Sequence, residues 1–201
     1  MIRTLAILLT GLYCVYPAWG QPGGEFEEVV NGFLAQAPMK ITYIYEVTKD
    51  GFHQDTTGSM VIVSSGEFRL EFWDKVYGSD GSSLYLHDRN TNQTVVDSLR
   101  WTDLNLWVQL LQGELPAGTV IHGPTSFQDS LQRWELSHER PWWSGNVDVA
   151  ADGRHIQKIE LYEDEGWRHL LQLGAPERWD HPDRKAFLTL LDLPGIRLDL
   201  R

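Results

Sequence analysis

The chain has one cysteine, Cys14, and it lies inside an apolar run close to the N-terminus. Arg3 gives that run a positive start and Leu5 to Tyr16 forms its body. Ala18-Trp19-Gly20 then places small residues three before and one before a cut ahead of Gln21, the pattern of a secretory signal peptide. The run is too short to span a bilayer comfortably. Bulky Tyr13 stands before Cys14, where a lipid-attachment signal has a small residue. The expectation is an exported, unanchored protein in which residues 1–20 are removed and residues 21–201 form one domain. Without Cys14 there is no thiol left, which excludes disulfides, zinc-thiolate sites and cysteine catalysis.

Other absences narrow the function further. The histidines (His53, His87, His122, His138, His155, His169 and His181) are scattered, with no His-Glu-x-x-His spacing. There is no Gly-x-Ser-x-Gly elbow and no glycine loop able to cradle phosphate. No enzyme activity, catalytic residue, metal or cofactor is expected. Positive charge is also scarce: 17 Lys and Arg against 28 Asp and Glu give a net charge of −11, and −12 once Arg3 is removed. Such a chain should neither bind nucleic acid nor adhere to anionic lipid headgroups.

Rings are plentiful, with nine Trp, seven Tyr and seven Phe, so they must line either a core or a pocket. Phe26, Val29, Val30, Phe33 and Leu34 fall on one helical stripe that Gln36 to Pro38 terminates. The pattern then switches to alternation. Ile41, Tyr43, Tyr45 and Val47 share one strand face against Lys40, Thr42 and Glu46 on the other. Phe68, Leu70 and Phe72 alternate with Arg69 and Glu71, and Ile196, Leu198 and Leu200 with Arg197 and Asp199. Lys49-Asp50-Gly51, Ser79-Asp80-Gly81, Ala151-Asp152-Gly153 and Asp164-Glu165-Gly166 are hairpin turns with a glycine free to take positive φ. A second helix is predicted from Leu104, Trp107, Val108 and Leu111, with Thr102 or Asp103 as its cap and Gly113 just past its end. A few helical residues are also expected near Pro182 to Phe187. The reading is α+β: a long curved antiparallel meander with two or three helices on its concave face. Such a face leaves either a packed core or an apolar groove, and periodicity alone does not separate the two.

The middle of the chain carries an ordered set of features. Gly58-Ser59-Met60-Val61-Ile62-Val63 is followed by Glu67-Phe68-Arg69-Leu70. Then come Gly78-Ser79-Asp80-Gly81-Ser82-Ser83-Leu84-Tyr85-Leu86-His87-Asp88 and Gln93-Thr94-Val95. This order, with a helix on either side and Phe187-Leu188-Thr189 through Pro194-Gly195-Ile196 at the end, resembles the LolA family of outer-membrane lipoprotein carriers. The resemblance spans roughly residues 25 to 200 and implies an unclosed half-barrel, mouth covered by helices, with a cavity for acyl chains. It implies that Phe68 and Leu70 match the cavity-facing pair and that Trp107 to Leu111 belongs to the lid helix. With them, the lining set is Phe33, Tyr43, Tyr45, Met60, Ile62, Phe72, Leu84 and Leu86. One departure stands out: the family's Arg-Pro pair, whose Arg ties the lid shut, is replaced by Ser64-Ser65.

The resemblance implies a monomeric periplasmic carrier of triacylated lipoproteins. Its partners would be an inner-membrane lipoprotein-releasing transporter and an outer-membrane acceptor. A periplasmic lipid- or lipoprotein-sensing module on the same half-barrel is the alternative. Trp142-Trp143, between Pro141 and Gly145, is a candidate docking pair, with a hydrophobic plug as the other reading.

Overall fold

The computed structural model describes residues 22–100, 106–127, 130–138, 140, 142–180, 187, 192 and 195–201. Helix α1 (Pro22–Leu34) buries Phe26, Val29, Val30 and Phe33, the stripe that its periodicity predicts. It closes with Ala35 N donating to Asn31 O, and the Gln36 side chain then reaches Arg154 O at 2.8 Å. Six strands follow as a meander: β1 (Met39–Lys49), β2 (Phe52–Ser64), β3 (Glu67–Phe72), β4 (Lys75–Asp80), β5 (Ser83–Asp88) and β6 (Gln93–Ser98). Helix α2 (Leu106–Leu111) leads into a second meander of β7 (Thr119–Phe127), β8 (Leu131–His138), β9 (Trp143–Ala150), β10 (Ile156–Glu163) and β11 (Arg168–Leu173). Short β12 (Glu177–Arg178) and β13 (Ile196–Asp199) complete the described elements.

The strands form one sheet in the order β13-β6-β5-β4-β3-β2-β1-β11-β10-β9-β8-β7, with β12 paired to the start of β1. β1 is the hinge of the architecture, because it joins the two meanders by pairing β2 on one side and β11 on the other. The end strands, β13 and β7, never meet, so the half-barrel is unclosed. β7 blunts its edge with a bulge between His122 and Thr125 that contains Pro124, a residue with no N–H to offer.

Two expectations are corrected. The protein is mostly β rather than α+β, with two helices among the described residues, and α2 is only six residues long. Its apolar stripe is stopped early by Gly113, which turns the chain at φ 79°. The sheet is also not wholly antiparallel, since β13 lies parallel to β6. The third helix predicted near Pro182 falls outside the described residues except at Phe187, which is helical and buried. Residues 1–20, Thr102, Asp103 and Leu104 also lie outside them.

Strand alternation gives the sheet two different faces. The inner face gathers Ile41, Tyr43, Tyr45, Phe68, Leu70, Trp134, Val147, Ile159 and Leu171 with α1 and α2 into one continuous core. The outer face differs between the two meanders. Over β2, β5 and β6 it is a small apolar cluster of Val61, Tyr85 and Val96, covered by Trp179 and Phe187. Over β8 to β11 it carries ion pairs. Arg133 grips Asp148 through two hydrogen bonds of 2.7 and 2.8 Å, and Glu160 accepts from Lys158 at 2.8 Å and Arg168 at 2.7 Å.

Candidate functional site: the helix-covered inner face

The inner face is organised around one ring. Trp107, at the start of α2, sits among Tyr43 and Tyr45 of β1 and Phe72 of β3, with ring centroids 6.3, 5.8 and 6.1 Å away. Tyr43 reaches this cage by passing over Gly58, its register partner on β2, and donating a hydrogen bond to Glu71 O on β3. A Cβ at position 58 would lie 2.5 Å from the Tyr43 hydroxyl oxygen, so glycine is required there by the ring that crosses it. Tyr45 Oη lies 2.5 Å from His169 Nδ1, and His169 Nε2 lies 3.4 Å from Glu163 Oε1. Burial, and then Glu71, pushes the Tyr43 phenol above its ordinary range; burial, Glu163 and Tyr77 do the same to Tyr45. Burial outweighs Glu163 at His169 and lowers its pKa, which keeps the imidazole neutral around pH 7.

α2 is enclosed rather than laid on with one stripe, since Trp107, Val108, Gln109, Leu110 and Leu111 are all buried. The β2–β3 turn holds its far end. Gly66 N donates to Gln112 Oε1 at 2.9 Å, and Ser65 Oγ donates to Gln112 O at 3.3 Å. Thus Ser65, one of the two residues that the resemblance sets against the LolA family's Arg-Pro pair, does contact the end of α2, but by a neutral bond. Gln112 is the residue that sequence reasoning missed. It is 3% exposed, and its only signal was its position beside the helix-ending Gly113. Between α1 and α2 a cleft of about 190 Å³ is lined by Phe26, Val30, Asn31, Leu110, Gly113 and Leu115.

The expected lining residues are distributed as follows. Phe33, Tyr43, Tyr45, Met60, Ile62, Phe68, Leu70, Phe72, Trp107 and Leu111 all belong to the inner core, each at 6% exposure or less. Leu84 packs against that core from β5, whereas Leu86 lies on the same face but outside it, half-buried. The tryptophan pair is split. Trp143 opens β9 and is buried in the core, while Trp142 stays 44% exposed, its ring 6.0 Å from Trp143 and 5.0 Å from His138. The indole N–H groups of Trp107, Trp134 and Trp143 are buried and have no acceptor among the described residues.

No protein-family model and no curated protein matches the sequence. Among solved structures, an uncharacterized conserved protein from Thermus thermophilus shares the fold at a TM-score of 0.58. It has 9% identity over 86% of this chain and 98% of its own. A LolA superfamily protein from Nitrosomonas europaea aligns at a TM-score of 0.46 with 12% identity, over 83% of this chain and 97% of its own. At 9% identity the first of these likenesses is one of fold alone.

Proposed function

We propose that this protein is a periplasmic carrier of lipoproteins, which takes acyl chains between its inner sheet face and α2 and moves them from the inner to the outer membrane. Burial is worth about 0.8 kcal/mol per methylene, so several long acyl chains leave a bilayer only for a similarly apolar host. Rings suit that host, since they give large contact area with few rotatable bonds and fit chains of varied length.

The observation that carries the reading is the set of buried indole N–H groups of Trp107, Trp134 and Trp143. A face dedicated to packing alone excludes or pairs its donors, because each unpaired one costs about 1–3 kcal/mol. The ester and amide carbonyls of an acylated cysteine are neutral acceptors that match them. The lid supports the same reading, since α2 is tied at Gln112 by two neutral hydrogen bonds that a ligand can exchange at small net cost.

The test is mass spectrometry of the protein recovered from its own periplasm, wild type beside Trp107→Phe, which keeps a smaller aromatic ring and removes the N–H. Triacylated lipoprotein bound to the wild type, and reduced in the variant, is the expected result. Bound phospholipid in its place turns the reading to the lipid-sensing module, and a chain recovered empty overturns it.

A further inference from the structure

Register ties the inner core to the open edge of the sheet along one line. Ile41 of β1 faces Met60 of β2, Met60 faces Leu70 of β3, and Leu70 faces Tyr77 of β4. Tyr77 faces Leu86 of β5, Leu86 faces Val95 of β6, and Val95 faces Leu198 of β13. All seven residues lie on the inner face. The assignment at the far end is secured by Arg197, whose guanidinium lies 5.5 Å from the Tyr85 ring on the outer side, which sends Leu198 inward. Six strand spacings make the line about 29 Å long. Exposure rises along it, from 0% at Ile41 and 3% at Leu70, through half-buried Tyr77, Leu86 and Val95, to 47% at Leu198.

The rows on either side do not reach the edge as hydrocarbon. On one side Phe68 faces Ser79, Ser79 faces Leu84, and Leu84 faces Asp97. On the other side Phe72 faces Lys75, Lys75 faces Asp88 across a 3.2 Å ion pair, and Asp88 faces Gln93. The apolar row is therefore one side chain wide on β4 and β6, bordered there by polar groups, and it widens at the β13 edge, where Ile196 and Leu200 flank Leu198. A protein partner needs on the order of 800 Å² of surface on each side, far more than this strip offers. A single hydrocarbon chain needs only a strip of this width.

Resting on the carrier reading, we infer that the row from Leu70 to Leu198 is an acyl-chain track, along which one chain of a triacylated lipoprotein slides between the β13 edge and the inner core. Leu198 and Val95 form its outer end. Tyr77 joins it to the Trp107 cage through Phe72, whose ring is 6.5 Å from that of Tyr77.

The experiment uses the full exported chain and a synthetic triacylated lipopeptide with a photoreactive diazirine in one acyl chain, the adducts being mapped by mass spectrometry. Adducts at Val95 and Leu198 as well as in the inner core are expected. Adducts confined to the core, or to Trp142, overturn the track while leaving the carrier reading in place; a chain that takes no adduct at all overturns both. A second measurement follows uptake of a pyrene-labelled triacylated lipopeptide by two edge variants. Leu198→Glu, on the track, is expected to slow uptake by roughly tenfold. Ile196→Glu, similarly exposed but one row away, is expected to change it by less than about twofold. Equal slowing by both, or no slowing by Leu198→Glu, removes the track.

Discussion

The two meanders share an inner face and differ over part of their outer faces, although β3 of the first also carries paired charge in Arg69 and Glu71, joined by Arg89. Over β8 to β11 the outer face keeps charge, and its buried carboxylates are paired: Asp148 is 2% exposed and bound by Arg133, while Glu160 collects Lys158, Arg168 and Tyr162. Over β2, β5 and β6 the outer strands carry Val61, Tyr85 and Val96, and later chain returns to cover them with Trp179 and Phe187. A sheet face can meet water through paired charge or can be roofed by apolar chain. The first solution is local to neighbouring strands, whereas the second depends on residues about a hundred positions away.

Phe187→Ala should open this comparison most widely. It removes a fully buried ring from the roof and is expected to cost about 3–5 kcal/mol by urea denaturation. Asp148→Ala, in the other meander, removes the carboxylate that Arg133 reaches with two hydrogen bonds, and a loss of about 2–3 kcal/mol is expected. Replacing Arg133 and Asp148 together by apolar residues of similar size should recover most of that loss, since a buried ion pair and a well-packed apolar pair of like volume differ little in stability. A result in which the double variant is no better than Asp148→Ala would place the cost in packing instead. Gly58→Ala, on the shared inner face, forces the Tyr43 ring aside and is expected to cost about 1–3 kcal/mol, with the near-ultraviolet circular dichroism of the aromatic cage altered.

The smallest and most discriminating test is acid titration. At Glu160 burial pushes the pKa up, but hydrogen bonds from Lys158, Tyr162 and Arg168 outweigh it and hold the carboxyl down to about 2. Asp80, in the β4–β5 turn, is likewise lowered to about 2 against burial. It is held by the N–H groups of Ser83 and Ser82 and by the Ser82 and Tyr85 hydroxyls. Both folded values lie below the unfolded ones. Each contribution is therefore complete above the usual carboxylate range and is lost as pH falls toward about 2. Added salt should weaken the Glu160 contribution, which rests on ion pairs, and leave that of Asp80 largely intact. Comparing the acid limbs of Glu160→Gln and Asp80→Asn at low and high salt checks this. Equal salt sensitivity would erase the distinction between the two meanders.

Alternation made the inner faces of β1 and β3 legible from sequence, because a period of two names the buried residue without reference to its neighbours. The same logic made Ile196, Leu198 and Leu200 legible as a strand, but not its parallel place beside β6, which depends on how the chain returns after β12. The tryptophan pair shows the limit of reading residues as units. Trp142 and Trp143 look alike in sequence, yet adjacent positions entering a strand point to opposite faces, so one is core and the other surface. Ser65 could be marked as standing where a latch belongs, whereas its partner Gln112 could not, since a hydrogen bond to a turn leaves no periodic trace.

The blunted edge of β7 also governs how copies of this chain can assemble. Strand pairing between molecules needs a free backbone edge on each, and the bulge at Pro124 withholds one. Among the described residues both β7 and β13 are end strands, and β13 is the one whose pairing runs without a bulge. An edge broken in its middle offers two short runs of backbone in place of one long one. The kink therefore makes the two margins of the sheet unequal, so a strand that adds to one finds less to hold at the other.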